Sequence, residues 1–423
     1  MGYPSKKKEF CYLCTSCGNS YNAAVSGIIY LCPVCSKENK AMQPPKGVLK
    51  TVYDYSDLRR KIESFDDFKE NGYLDLLPIK SLSSLPQLRV GNTPLYYISQ
   101  LDGRKLPFHL YIKDDSQNPT FSYKDRASAI VSAFAKEQGI KTIVTASTGN
   151  AGSSIAGICA SQRQNAIVLV PERSPRAKLC QIIMYGARLL PVKGTYDQAF
   201  ELSIKISETH KWYNRNTAYN PLTIEGKKTA SFEIYDKMRP AKSYRIFVPV
   251  GDGVIISGIY KGFEDLLNIG IIDEMPLLVA VQSEGSDNLI RNIGSHSFSI
   301  RKSLTIADSI SVDIPRNFYY TRQMIEKYNG ECISVSDMEI MSASSVLARN
   351  TGVFSEPAAA AGFAGLLRYH RDDRLKHASH NIVLSTGSGL KDTGPVEKQL
   401  EIPSGLEPDT DPVNDLMKAG LRY

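Results

Sequence analysis

Histidine is scarce in this chain, with six among 423 residues, and the six form neither a metal-ligand spacing nor a triad pattern. No Gly-x-Ser-x-Gly segment occurs, which removes the nucleophile elbow of the α/β-hydrolases. No apolar run is long enough to span a membrane. The basic residues near the start are not followed by an apolar stretch, so no secretory signal is readable. Met1-Gly2 lacks the Ser or Thr at position six that myristoylation requires. Internal repeats and low-complexity segments are missing as well. A cytoplasmic location is expected. The net charge of +7 is dispersed, and Lys6-Lys7-Lys8 is the only basic run. Without a basic–aromatic pattern, neither nucleic acid nor a membrane is expected as a partner, and a phosphorylated small molecule accounts for the bias equally well.

What the chain does have is an uneven set of eight cysteines, five of them before residue 36. Cys14-x-x-Cys17 and Cys32-x-x-Cys35 are separated by fourteen residues, room for one hairpin. Paired Cys-x-x-Cys turns present four thiolates at tetrahedral spacing, which reads as a zinc ribbon. Four thiolates leave no open coordination position, so the zinc would be structural. Cys11 is spare, although Cys11-x-x-Cys14 is a competing register. Cys159, Cys180 and Cys332 are scattered, as in a protein kept reduced. Residues 41–49 read as a linker and 50–90 as an arm of mixed helix and turn, with Asp66 and Asp67 solvated. The ribbon is expected to lie outside the main core.

Beyond residue 100 the pattern alternates. Strands are expected at 110–113, 142–146, 166–170, 188–192, 246–250, 277–282 and 381–384. Helices are expected at 151–160, 176–185, 196–208 and 255–267. Strands alternating with helices imply right-handed crossovers and parallel sheets covered on both faces. A chain of 423 residues allows two or three such domains.

The pattern centres on Asn118–Ala127, Asn-Pro-Thr-Phe-Ser-Tyr-Lys-Asp-Arg-Ala. Pro119 ends an extended approach, and from Lys124 apolar residues recur with helical period at Ala127, Ile130, Val131 and Phe134. Ser122 and Asp125 have the spacing of a capping box, and Gly139 can end the helix. Lys124 thus sits where the helix dipole is positive, which lowers an amine's pKa and suits Schiff-base chemistry. Alone, a lysine in a first turn is usually solvated. Two other turns join a strand to a helix. Ser147-Thr148-Gly149-Asn150 can cap its helix or hold a carboxylate. In Gly251-Asp252-Gly253-Val254-Ile255, two glycines let backbone N–H groups converge on an anion.

The Asn118–Arg126 stretch resembles the cofactor-lysine motif of the threonine synthases, which are fold-type II pyridoxal-phosphate (PLP) enzymes. Six further stretches carry the resemblance in order: Gly91-Asn92-Thr93-Pro94-Leu95, Ala146–Asn150, Asn220-Pro221 with Glu225–Thr229, Pro249–Gly253, Glu356-Pro357-Ala358, and Thr386–Asp392. Seven ordered matches are far more specific than one. The resemblance implies the tryptophan synthase β-like fold, two doubly wound α/β domains with PLP in the cleft and a zinc ribbon in front. The ribbon would take residues 1–45, the large domain 46–126 and 223–423, and the small domain 127–222. A homodimer is expected.

It also implies roles. Lys124 would be the catalytic, cofactor-linked lysine. Asn150 would bond the cofactor's ring oxygen, Thr386 its pyridine nitrogen, and Gly251, Asp252, Gly253, Val254 and Ile255 would cradle its phosphate. Ser147 and Thr148 would hold the substrate carboxylate. Lys178 and Lys227 are candidates for the substrate phosphate or carboxylate, Arg215 for the phosphate, and Cys14, Cys17, Cys32 and Cys35 for zinc. Arg126 and Asp125 are expected to orient the lysine helix. Three positions depart from the family pattern. Phe121 replaces a small residue, and Val254 lies where many members have an asparagine nearby. Thr223 replaces an arginine that grips the substrate phosphate. The implied reaction converts O-phospho-L-homoserine and water to L-threonine and phosphate. Thr223 keeps open another type II PLP lyase, a β-replacement enzyme or a serine/threonine ammonia-lyase.

Overall fold

The computed structural model describes residues 10–398 except 148, 173, 175 and 242, together with 400 and 405. The described residues up to Asp392 form one compact unit, and a second unit from Thr393 contributes the short helix Gly394–Glu397. Among the described residues no helix is long and apolar enough to cross a membrane.

Among the described residues thirteen strands form three sheets. β1 (Cys11–Cys14), β2 (Ser20–Asn22) and β3 (Leu49–Val52) make an antiparallel ribbon in the order β2-β1-β3. β4 (Leu95–Leu101) and β5 (Arg104–Asp114) belong to the large sheet. β6 (Thr142–Ala146), β7 (Asn165–Pro171), β8 (Arg188–Val192) and β9 (Tyr213–Asn214) form a four-stranded sheet, order β8-β7-β6-β9, parallel throughout. β10 (Tyr244–Pro249), β11 (Leu277–Ser283), β12 (Glu331–Val335) and β13 (His380–Ser385) complete the large sheet, order β12-β11-β10-β13-β5-β4. The central strands are mostly apolar and buried over most of their length, as parallel strands covered by helices must be.

The large sheet is not wholly parallel, because β4 runs antiparallel to β5. The reason is local. Asp102 (φ 46°) and Gly103 (φ 73°) make a two-residue left-handed turn, and so short a connection can only reverse the chain. Nor does the ribbon lie outside the core. Tyr12, Cys14, Cys32 and Leu49 share one buried cluster with Ile224, Ile256 and Ile259. Asp66 and Asp67 are exposed as expected, and Asp66 also pairs with Arg239 at 2.7 Å.

The Lys124–Glu137 helix is buried from Asp125 through Ala135, between the Asn150–Gln162 and Leu222–Lys227 helices. Its end is as expected, with Gly139 at φ 71° and the Ile140 N–H returning to the Ala135 carbonyl at 2.8 Å. Its start is not. Ser122 makes no cap, and its hydroxyl is buried without a partner. Asp125 turns back instead to accept from the Thr120 N–H (2.7 Å) and hydroxyl (2.5 Å), so the turn before the helix is held from inside it.

The crossing with the Leu222–Lys227 helix leaves no room at Gly226, where a Cβ would collide with the Arg126 carbonyl oxygen. Gly226→Ala is expected to cost about 1–3 kcal/mol of stability by overpacking, read as a lower melting temperature. An unchanged melting point would show that the helices can part without penalty.

Candidate active site

The C-terminal ends of parallel strands converge on one cleft, the usual ligand edge of an open α/β sheet. After β6 come Ser147, Gly149 and Asn150; after β10 come Gly251, Asp252 and Gly253; after β13 comes Thr386. The cleft measures about 730 Å³ to its open mouth. Lys124, Ser147, Asn150, Lys227, Gly251–Ile255, Tyr196 and the 308–312 segment line it.

Lys124 is the first residue of its helix, half-buried and facing the cleft. Its pKa is pulled down to about 8, chiefly by burial and then by the nearby Arg215 charge. Desolvation, more than the helix dipole, therefore makes this amine available as a nucleophile. Lys227 lies beside it, fully buried, with Nζ lacking any hydrogen-bond partner among the described residues. Burial and the charges of Lys124 and Arg215 hold it well below the usual lysine range. Arg215 is also fully buried and is lowered to about 10 by burial. Its Nε reaches Ser128 (3.3 Å) and Nη1 reaches Thr217 (3.1 Å), but Nη2 has no partner among the described residues. Two buried basic side chains, Lys227 and Arg215, with unfilled donors beside Lys124 form a ready site for an anion.

The glycine turn has the shape its sequence implied. Gly253 has φ 86°, and a Cβ there would meet Leu289 at 2.9 Å; one at Gly251 would meet the Ile310 backbone at 3.0 Å. Val254 and Ile255 open a fifteen-residue helix whose first N–H groups face the cleft. Asp252 is turned toward its own scaffold, accepting from the Arg316 N–H at 3.2 Å, and burial raises its pKa.

Asn150 begins its helix one residue earlier than its pattern suggested. Its Nδ2 donates to Glu356 Oε1 (2.7 Å) and Ser309 Oγ (3.1 Å), and Oδ1 is buried without a partner among the described residues. Ser147 Oγ accepts from the Gly149 and Gly152 N–H groups, both at 2.9 Å, so it caps this helix. Thr148 lies outside the described residues. Thr386 is buried beside the lysine motif, its carbonyl accepting from the Tyr123 N–H at 2.9 Å. Thr223 faces away, its hydroxyl donating to the Asn220 carbonyl at 2.8 Å. Lys227 stands one helical turn further on, and it is Lys227 that lines the cleft.

Lys178 reaches the same region, but Asp308 (3.1 Å) and Ser309 (3.2 Å) occupy its ammonium. Glu356, Asp308, Ser309 and Tyr196 went unnoticed as site residues. Glu356-Pro357 was legible as a helix start with proline in its first turn, whereas nothing local distinguishes Asp308-Ser309 in its loop.

At the other end of the chain, the sulfurs of Cys14, Cys17, Cys32 and Cys35 lie within 4.8 Å of one another. Cys14–Cys35 and Cys17–Cys32 are each 3.8 Å apart. A tetrahedron with metal–sulfur bonds of about 2.3 Å has edges of about 3.8 Å, so the quartet fits zinc. Gly47 closes behind it at φ 81°, where a Cβ would press on Cys32 Cβ at 3.1 Å.

The family model described as pyridoxal-phosphate dependent enzyme matches residues 86–387, and the chain belongs to that family. Among its relatives is the threonine synthase of Methanocaldococcus jannaschii, 33% identical over 413 residues and covering 96% of this chain and 98% of that one. The threonine synthase of Halalkalibacterium halodurans is 34% identical over 354 residues, covering 82% and 97%. Within the family, then, the chain groups with the threonine synthases. Its fold is shared with O-ureido-L-serine synthase (TM-score 0.64, 18% identity, 78% of this chain and 97% of that one). It is also shared with the processed threonine deaminase isoform 2 of Solanum lycopersicum (TM-score 0.63, 20% identity, 76% and 90%).

Because burial favours the neutral amine, Lys124 in cofactor-free protein should react with an amine-directed reagent along a curve centred near pH 8. An ordinary lysine would be centred near pH 10.4. Peptide-resolved labelling reads this, and a midpoint above pH 10 would show that the cleft does not desolvate the amine.

Proposed function

We propose that the chain is a threonine synthase acting on O-phospho-L-homoserine and water to give L-threonine and phosphate. The observation that carries the reading is an activated lysine in the cleft with two buried basic side chains close to it, Lys227 on the cleft wall and Arg215 behind, each with a donor unfilled among the described residues. The residues also fit the cofactor. Asn150 Oδ1, buried without a partner among the described residues, and the Gly253–Ile255 helix start, which lines the cleft with Lys124, are what a phosphorylated pyridine would engage. Lys124, Asn150, Thr386 and the backbone of Gly251–Ile255 would hold it. PLP, when bound, supplies the electron sink that stabilises negative charge at the substrate's α carbon.

The chain's own residues do the rest. Lys124 Nζ, with its lowered pKa, takes the proton from the α carbon and moves protons at the β and γ carbons. Lys227 and Arg215 neutralise the phosphate as it leaves the γ carbon, taking over from the arginine that Thr223 replaces. Ser147 and Thr148 orient the carboxylate through the helix start. Water then adds at the β carbon, and the walls of the cleft limit its access until that step.

The test is phosphate release from O-phosphohomoserine with threonine as co-product, and borohydride fixing the cofactor on the Lys124 peptide. Lys227→Ala and Arg215→Ala should each lower kcat/KM about ten- to a hundredfold with the cofactor spectrum unchanged, the worth of a charge-assisted contact made in the transition state. A wild type that ignores phosphohomoserine but deaminates serine or threonine would move the chain to the ammonia-lyases.

The cysteine quartet is read as one structural zinc per chain, and the assembly as a homodimer with the small domain at 127–222. Native mass spectrometry measures both metal and assembly. Cys32→Ser should lose the metal and, because the ribbon shares the core, lower the melting temperature, while the cofactor stays bound. Protein purified under reducing conditions without zinc would refute the site.

A further inference from the structure

Lys178 is fully buried on the Arg176–Met184 helix, yet its ammonium is surrounded where that of Lys227 is bare. Nζ lies 3.1 Å from Asp308 and 3.2 Å from Ser309 Oγ. It is 3.9 Å from Glu356 and 4.0 Å from Asp392. These groups come from three distant segments: the 308–312 wall of the cleft, the start of the Pro357–Arg371 helix, and the end of the Thr386–Asp392 turn.

Asn150 draws on two of the same groups, donating to Glu356 (2.7 Å) and Ser309 (3.1 Å). The Lys178 stem also crosses Gly149 so closely that a Cβ there would collide with it. Burial alone would lower this lysine's pKa, but Glu356, Asp308 and Asp392 outweigh it and raise it, so the charge persists. A substrate phosphate brought to Lys178 would meet those three carboxylates at once, which costs more than one cation returns.

We propose that Lys178 is a positioning residue, a charged pin that fixes the 308–312 wall and the Gly149–Asn150 turn over the cofactor cleft, and not a substrate ligand. The pin rests on the reading that the cleft holds a cofactor, and it is independent of which amino acid is processed.

The experiment compares holoenzyme carrying Lys178→Met, Lys178→Arg, Asp308→Asn, or Lys178→Met with Asp308→Asn. Cofactor release is followed by absorbance, and exchange of the 303–313 amides is followed in cofactor-free protein. Release should speed up about tenfold or more in Lys178→Met and in Asp308→Asn, as expected for loss of a charge-assisted contact. The double variant should be no faster than the faster single one, and Lys178→Arg should restore most of the wild-type rate. Amide exchange in 303–313 should rise in step, with the affinity for inorganic phosphate unchanged. Unchanged release with at least tenfold weaker phosphate binding in Lys178→Met would overturn the pin and make Lys178 a phosphate ligand. If Lys178→Met does not fold, Asp308→Asn decides alone, and wild-type release in that variant overturns the pin. Wild-type protein that carries no cofactor on Lys124 would sink the functional reading itself, a separate result from a pin that fails.

Discussion

Everything near the reactive lysine depends on one buried guanidinium. Arg126, two residues into the lysine helix, gives Nε to Asp115 at 2.5 Å and Nη1 and Nη2 to Glu233 at 2.6 and 2.8 Å. Nη1 and Nη2 also reach the hydroxyls of Thr229 (2.9 Å) and Thr93 (3.2 Å). Glu233 in turn accepts from the Asn92 N–H at 2.7 Å and from Lys113 at 2.6 Å. One planar fork therefore ties together the end of β5, the Gly91–Thr93 loop, the Thr229–Met238 helix and the helix that carries Lys124. Arginine suits this better than lysine because its donors diverge in fixed directions. A buried pair of this kind is poor evidence for net stability but strong evidence for a fixed geometry. Removing one partner strands a charge at about 3–5 kcal/mol.

Against that balanced anchor, the cleft is deliberately out of balance. Lys124 and Lys227 line it with Arg215 buried close by, while the carboxylates on its wall are engaged elsewhere, Asp252 toward Arg316 and Asp308 toward Lys178. A few ångströms away the sign reverses, where Asp308, Glu356 and Asp392 crowd Lys178, and burial helps lift Asp392 to about 6. Unfilled donors in low dielectric are costly, and that cost is relieved only by an anionic ligand.

The ribbon arm is joined to the same framework by a second buried network. Lys228 lies 2.5 Å from Glu225 and 2.7 Å from Asp265, with Lys261 also on Asp265. Tyr53 and Tyr55, just beyond β3, donate to Glu225 (2.5 Å) and Asp265 (2.6 Å). Two lysines against two carboxylates leave no net charge. The network docks the arm on the Val254–Asn268 helix, whose N-terminus forms the anion cradle.

Periodicity alone placed β5, β6, β7, β8, β10, β11 and β13 and the helices after several of them, because a strand buried on both faces must be continuously apolar and its crossover helix amphipathic; it did not find β9, only two residues long, or β12, a partly buried edge strand. The Asp102-Gly103 hairpin was legible in principle, as a two-residue left-handed turn signal, and was passed over. The capping box at Ser122 was a plausible local pattern that lost to Asp125, whose carboxylate found two donors in Thr120. The cysteine spacing and the Lys124 motif were written in the chain because each depends on neighbours a few residues apart. Charge state was not. Lys227 and Lys228 are adjacent and chemically identical in sequence, yet one is left bare in the cleft and the next is consumed by Glu225 and Asp265. Lys178 looked like either of them until Asp308, Glu356 and Asp392, all more than a hundred residues away, closed around it. Which lysines face an anion and which serve the framework is a question of long-range carboxylates, and only the tertiary structure brings those into range.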